Sequence, residues 1–301
     1  MSTRRTFIWT DLQLAKLNKV RATLEELKAY KPLTLRQVYY QLVGKGYIEN
    51  KVSQYTMLSG LLKHARIDGY ISWEDIEDRV RTYHDLTGWE DSGEYIRGSL
   101  KQFLTGYRRD LLQTQVIYPE IWIEKDALAS IFTRVASPYT IPVVVCRGFS
   151  SVSFLNDYKQ RLRYQGDKRP VLLYFGDFDP SGVEMLRAME ITLREELLVE
   201  GIEFKRVALL KEDISRYRLP HSPEALKKTD SRASKHIEQY GELAVELDAL
   251  PPAVLEEKIR TAIERELDME AYRDEVAENS RELDKLNTIK SRVVKLVEGI
   301  I

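Results

Sequence analysis

The run VLLYFGDFDPSGVEM, residues 171–185, constrains the fold more than any other stretch. Five consecutive apolar residues suit a strand buried on both faces, as in a parallel sheet covered by helices. Gly176, two aspartates, Pro180, Ser181 and Gly182 follow, and then a helix-like segment. A strand that ends this way delivers Asp177 and Asp179 together at its C-terminal edge, where open α/β sheets bind ligands. Two carboxylates on one short turn also suit a hard divalent cation such as Mg²⁺. Asp179 before Pro180 has in addition the form of a helix N-cap with proline in the first turn.

The surrounding chain alternates strand and helix. EIWIE (120–124), PVVVCRG (142–148), PVLLYF (170–175) and FKRVAL (204–209) read as strands. Between them ALASIFTRVAS (127–137), SVSFLNDYKQRLRYQG (151–166) and SGVEMLRAMEITLREELLVEG (181–201) read as helices. This order predicts an α/β domain over 118–301 with a mostly parallel sheet flanked by helices. Right-handed crossovers bring parallel strand ends to one edge, so Glu124, after IWI, is expected near Asp177 and Asp179. Residues 211–240 read as irregular, LAVELDAL (243–250) as a further strand carrying the acidic pair Glu246 and Asp248, and the remainder as charged helix.

Residues 1–70 read differently. Leu12, Leu14, Leu17, Val20, Leu24 and Leu27 predict one helix. Thr34 is an N-cap for a second, TLRQVYYQLVGKG, and QYTMLSGLLKHARIDG is a third, with YISWED as a hairpin-like tail. Three helices and such a tail resemble a winged helix-turn-helix of the CAP-like kind, its third helix carrying Lys63, His64 and Arg66. Residues 1–70 hold twelve Lys/Arg against five Asp/Glu, so with a net charge of −1 the remainder sums to −8. A basic region beside an acidic one points to a polyanionic partner for the first part. Residues 71–117 read as a connecting region with one helix near 95–113.

The single cysteine, Cys146, excludes an internal disulfide and a cysteine-based zinc cluster. No apolar run has membrane-spanning length, and MSTRRTFIWT lacks a signal-peptide core, so a reducing cytoplasmic setting is expected, nucleoid-associated in a prokaryote. No P-loop, GxGxxG or HExxH is present, so any ATP-driven step would need a separate ATPase partner.

IWIEKDALASIF followed by YFGDFDPSGVEM resembles the Toprim domain of topoisomerases, primases and related nucleases, and most of all the A subunit of topoisomerase VI and its meiotic double-strand-break relatives. The resemblance implies Mg²⁺ (with Mn²⁺ as a substitute) on Glu124, Asp177 and Asp179, Glu124 also assisting proton transfer. TLRQVYYQL is similar to that family's nucleophile helix, Ser/Thr-x-Arg-(Asp/Glu)-hydrophobic-aromatic-Tyr. It implies Tyr40 as the residue that attacks DNA phosphate, leaving a 5′-phosphotyrosyl link, and Arg36 in support. A guanidinium four residues away on one helix face can hold a phosphate and favour phenolate. Gln37 stands where an acid is common, and RGFSS (147–151) where the family has a Gly-aromatic-Pro-Asp turn.

The expectation is therefore a Mg²⁺-dependent DNA strand-cleaving enzyme acting on duplex DNA. Arg36, Lys63, His64 and Arg66 would contact DNA, and a homodimer is implied because two family subunits build each site together. Two alternatives are a hydrolytic Toprim endonuclease, of the kind used in plasmid or phage defence, and a catalytically inert DNA- or partner-binding protein.

Overall fold

The computed structural model describes residues 7–77, 88–148, 151–221, 226 and 231–299. The chain opens with three helices, α1 (Asp11–Glu26), α2 (Leu35–Gly44) and α3 (Val52–Ile67). Each of the first two begins with a capping box. In α2 the Thr34 hydroxyl accepts from the Gln37 amide at 3.2 Å, and Gln37 Oε1 accepts from the Thr34 amide at 2.8 Å. Gln37, the departure from the family pattern, thus does the work of an N3 acid in the cap.

Among the described residues no hairpin follows α3. Strands β1 (Leu33–Thr34) and β2 (Ile76–Glu77) make a two-residue parallel pair instead. The amides of Tyr70 and Ile71 both turn back to the Ala65 carbonyl at the end of α3, so YISWED has no free ladder to offer. What the described residues of this region show is three packed helices. In the connecting region, α4 (Ser92–Gln102) stops well short of the predicted 113. Leu104 takes a positive φ of 60°, which ends a helix at once. Phe149 and Ser150 of the RGFSS segment lie outside the described residues, as do 78–87 of the connecting region.

Four parallel strands form the main sheet: β3 (Ile117–Ile123), β4 (Val143–Val145), β5 (Arg169–Phe175) and β6 (Glu203–Ala208), in the order β4-β3-β5-β6. Helices α5 (Ala129–Ala136), α6 (Val152–Leu162) and α7 (Pro180–Ile191) make the crossovers. The two-residue period of a strand sorts side chains into two cores. Ile121, Ile123, Leu173 and Phe175 face α5, and Trp122, Leu172 and Tyr174 face α6 and α7. The first of these cores also holds buried side chains of α1, α2 and α3.

Beyond the sheet the expectations for 211–250 change. Residues 211–240 contain two helices, α8 (Lys211–Arg216) and α9 (Ser231–Tyr240), although 222–225 and 227–230 lie outside the described residues. LAVELDAL is not a strand. Val245 makes one antiparallel bridge to Phe178, and Leu247–Ala249 is a 3₁₀ turn packed on α2. Helices α10 (Pro252–Glu266) and α11 (Met269–Glu298) complete the chain. No helix among the described residues is long and apolar enough to cross a membrane.

Candidate active site

Strand register brings the acids together. Ile123 pairs with Phe175, so Glu124 and Gly176 leave the sheet side by side. The chain from β3 crosses to β4 on one side, and the chain from β5 crosses to β6 on the other. The acids therefore sit at the topological switch point, the position where such sheets bind ligands. Glu124 Oε2 accepts from the Asp177 amide at 2.9 Å, which closes the turn onto the neighbouring strand. Asp179 is the N-cap of α7, its Oδ1 accepting from the Gly182 amide at 2.7 Å with Pro180 in the first turn. Arg206, from β6, clamps the turn from below. Its guanidinium donates to the carbonyls of Gly176, Asp177, Gly182 and Leu209 at 2.5–3.2 Å.

A second layer comes from distant sequence. Lys125 Nζ lies 2.8 Å from Asp177 Oδ2, 3.0 Å from Glu246 Oε2 and 2.9 Å from Asp248 Oδ2. Glu246 in turn holds Arg36 by two bonds of 2.6 Å. The remaining Asp177 oxygen accepts from the Leu247 amide at 2.8 Å. Asp248 is 1% exposed, and its Oδ1 is buried without a hydrogen-bond partner among the described residues. Glu246 and Asp248, read from the sequence only as an acidic pair on a strand, are thus the bridge between the sheet edge and α2.

The electrostatics follow from crowding. Burial, then the charges of Asp177 and Asp179, push Glu124 up to about 7, against the opposing Asp177 amide bond. Burial raises Asp177 as well, opposed by Lys125 and the Leu247 amide, and burial raises Asp179. Burial alone would lower Lys125, but Asp248, Asp177 and Glu246 carry it well above its ordinary range. Five carboxylates (Glu124, Asp177, Asp179, Glu246, Asp248) here share three cations (Lys125, Arg36, Arg206), an excess of negative charge.

Tyr40 belongs to the same cluster. It is 4% exposed, and its ring packs edge-on to Tyr39 at 5.3 Å. Burial, then the Glu246 carboxylate, push its phenol far above the ordinary value, while Arg36 and Lys125 work the other way. Every one of these charges is on its own chain. Arg36 and Tyr40 do share a helix face, as their spacing predicts.

The predicted DNA-contacting trio divides. Lys63 and Arg66, three residues apart, line one cavity with Arg36. His64, turned about 100° from Lys63 on the helix, stacks on Phe7 at 3.9 Å and lines a different hollow. Sequence reasoning missed Arg206 and the reach of Lys125. Arg206 sits in a strand that reads as ordinary, whereas Lys125 follows Glu124 directly and was visible as a charged neighbour.

Among the described residues no three His, Cys, Asp or Glu side chains form a group that could hold a metal ion. The donor chemistry nevertheless suits a hard cation. Glu124, Asp177 and Asp179 are all oxygen donors, and after burial it is the charges of the two aspartates that raise Glu124. Comparison with known protein families and with curated proteins finds no match for this chain.

Proposed function

We propose that the protein is a Mg²⁺-dependent DNA strand-cleaving enzyme in which Tyr40 attacks a backbone phosphate. One observation carries the reading. The acids at the switch point and the Arg36–Tyr40 helix face are joined in a single charge network through Lys125 and Glu246. In the reaction the Tyr40 phenol gives up its proton to solvent, its oxygen bonds to phosphorus, and the 3′-oxygen departs and takes up a proton, leaving a 5′-phosphotyrosyl link. Glu124 and Asp179 would hold the ion, with Asp177 exchanging its Lys125 contact for it. A bound divalent ion supplies charge neutralisation on the phosphoryl oxygens. Glu124, at the end of β3 beside the aspartate turn, would also be placed to assist proton transfer to the departing 3′-oxygen, the role the family resemblance gives it. Arg36 is a second source of positive charge for the phosphate and lowers the phenol against its burial.

One observation favours a second reading, hydrolysis by water. Tyr40 is buried and its phenol is raised, so the conformation described is a poor nucleophile. Incubation with duplex DNA and Mg²⁺, followed by denaturation, separates the two. Transesterification leaves DNA covalently joined to protein in the wild type and none in Tyr40→Phe. Cutting that survives Tyr40→Phe but not Asp177→Ala establishes hydrolysis. The homodimer stays part of the proposal, and mixing Tyr40→Phe with Asp177→Ala tests it, since only sites shared between copies regain cleavage.

A further inference from the structure

The charge network has an outer face that the cleavage reading leaves unused. Beside Arg36, a cavity of about 540 Å³ opens between α2, α3, the β2 segment and the Asp126 turn. That volume lies within the usual range for small-ligand sites. Its walls carry three cations, Arg36, Lys63 and Arg66, and two aromatic rings, Tyr55 and Trp73. The two acids on the wall are already engaged. Glu77 Oε1 accepts from the Ser130 hydroxyl at 2.5 Å, and Asp126 pairs with Arg147 at 2.9 Å. Lys63 makes no ion pair among the described residues.

Trp73 is the distinguishing element. A core tryptophan would be covered, but this ring is 61% exposed. The Arg66 guanidinium lies over it, 4.5 Å from the ring centre, and Arg66 Nη2 donates to the carbonyls of Trp73 and Ile76 at 3.0 Å. Arg66 thus props the indole from one side and fixes the loop that bears it. Arg66 Nε is buried without a partner among the described residues. A flat ring held open beside uncommitted positive charge matches the two parts of a nucleotide. Base stacking on aromatic side chains, with cations along the backbone, is the general chemistry of single-strand recognition.

We propose that this cavity takes one unstacked nucleotide of a DNA strand, its base against Trp73 and its phosphate between Lys63 and the exposed side of Arg36. The proposal rests on the DNA-cleaving reading for its choice of polymer, because Arg36 joins this cavity to the acid cluster. A duplex must therefore release a base near the cut, which least costs at a mismatch or in a single strand.

The test is a binding titration in EDTA, where no cutting occurs, of a short oligothymidylate single strand. Strand binding is read by fluorescence anisotropy, and tryptophan fluorescence is followed in parallel. The expected result is quenching in the wild type, with Trp73→Phe keeping the affinity but losing most of the quenching. Trp73→Ala is expected to weaken binding roughly five- to a hundredfold, the range measured for a stacked base. Lys63→Ala is expected to lower the slope of log affinity against log salt by about 0.7. Thermal melts matching the wild type keep lost affinity from being read as lost fold. Unchanged affinity in both Trp73→Ala and Lys63→Ala overturns the proposal. So does displacement of the strand by free thymidine monophosphate at matching concentration, which would make a free nucleotide the ligand. A protein that binds in this way but never cuts overturns the cleavage reading alone.

Discussion

Gly182→Ala tests the packing of the acid turn, because two physical effects act on it with opposite sign. Gly182 is the third residue of α7, and glycine to alanine inside a helix is ordinarily stabilising by about 0.5–1 kcal/mol. Here a Cβ would lie 2.3 Å from the Asp177 carbonyl oxygen, 3.1 Å from its carbon and 3.2 Å from Glu124 Oε2. Neither side can retreat cheaply. Arg206 holds the Asp177 carbonyl at 2.5 Å and the Gly182 carbonyl at 3.1 Å, and Glu124 holds the Asp177 amide. Overpacking of this kind costs about 1–3 kcal/mol, which outweighs the helix gain. The expected net loss is about 1–2 kcal/mol, with Asp177 and Glu124 moved apart. Gly60, mid-way along α3, is the control, since a Cβ there meets nothing within 4 Å. Gly60→Ala is expected to stabilise by about 0.5–1 kcal/mol through the same backbone effect. Urea unfolding reads both as a shifted midpoint at constant slope. A Gly182→Ala protein as stable as the wild type would refute the account of the turn.

Two further outcomes follow from the charges. Glu124 titrates at about 7, against 4.5 as its ordinary value, so the folded protein binds more protons than the unfolded chain between those values. Its contribution is fully present below the ordinary value and is lost as pH rises toward 7, on the order of 3 kcal/mol in metal-free protein. Melting across that window is expected to show the slope in the wild type and to lose it in Glu124→Gln; identical slopes would contradict the assignment. Lys125→Met leaves Asp177, Glu246 and Asp248 without their shared ammonium. Removing one partner of a buried pair costs about 3–5 kcal/mol, and a loss below about 1 kcal/mol in urea unfolding would show that the network is screened by water.

What the sequence revealed was whatever local periodicity and end signals encode. Strands β4 and β5 are built on apolar runs flanked by turn residues, while β6 carries Glu203, Lys205 and Arg206, and the Asp179–Pro180 start of α7 is a local cap that needs no distant partner. Arg36 and Tyr40 share a face because helix geometry alone decides it. The same geometry separates His64 from Lys63 and Arg66, and applying it to the third helix would have split the trio in advance. LAVELDAL misled because its alternation is that of a strand, whereas its polar positions are spent on tertiary charges. Asp248 and Glu246 turn to Lys125, and the Leu247 amide goes to Asp177 instead of a ladder. Among the described residues the expected hairpin is not seen either, and the first amides of that segment close the end of α3.

The consequence for the site is a change in what the aspartate turn answers to. Read locally, GDFDPSG is a pair of carboxylates awaiting a cation. In the fold it already has one. The Lys125 ammonium sits on Asp177 and is held there by two acids from a segment about 70 residues downstream, one of which also grips the helix of Tyr40. Moving Lys125 off Asp177 would therefore disturb Glu246, and with it Arg36 and the buried phenol. On the proposed mechanism, metal entry and exposure of Tyr40 would then be coupled through Glu246. Glu246→Gln weakens that coupling while leaving Glu124, Asp177 and Asp179 unaltered. On the proposed mechanism it is expected to raise the fraction of DNA-linked protein at low Mg²⁺, by loosening both Lys125 and Arg36. A variant that traps no more DNA than the wild type at any Mg²⁺ concentration would show that the network is structural support and nothing more.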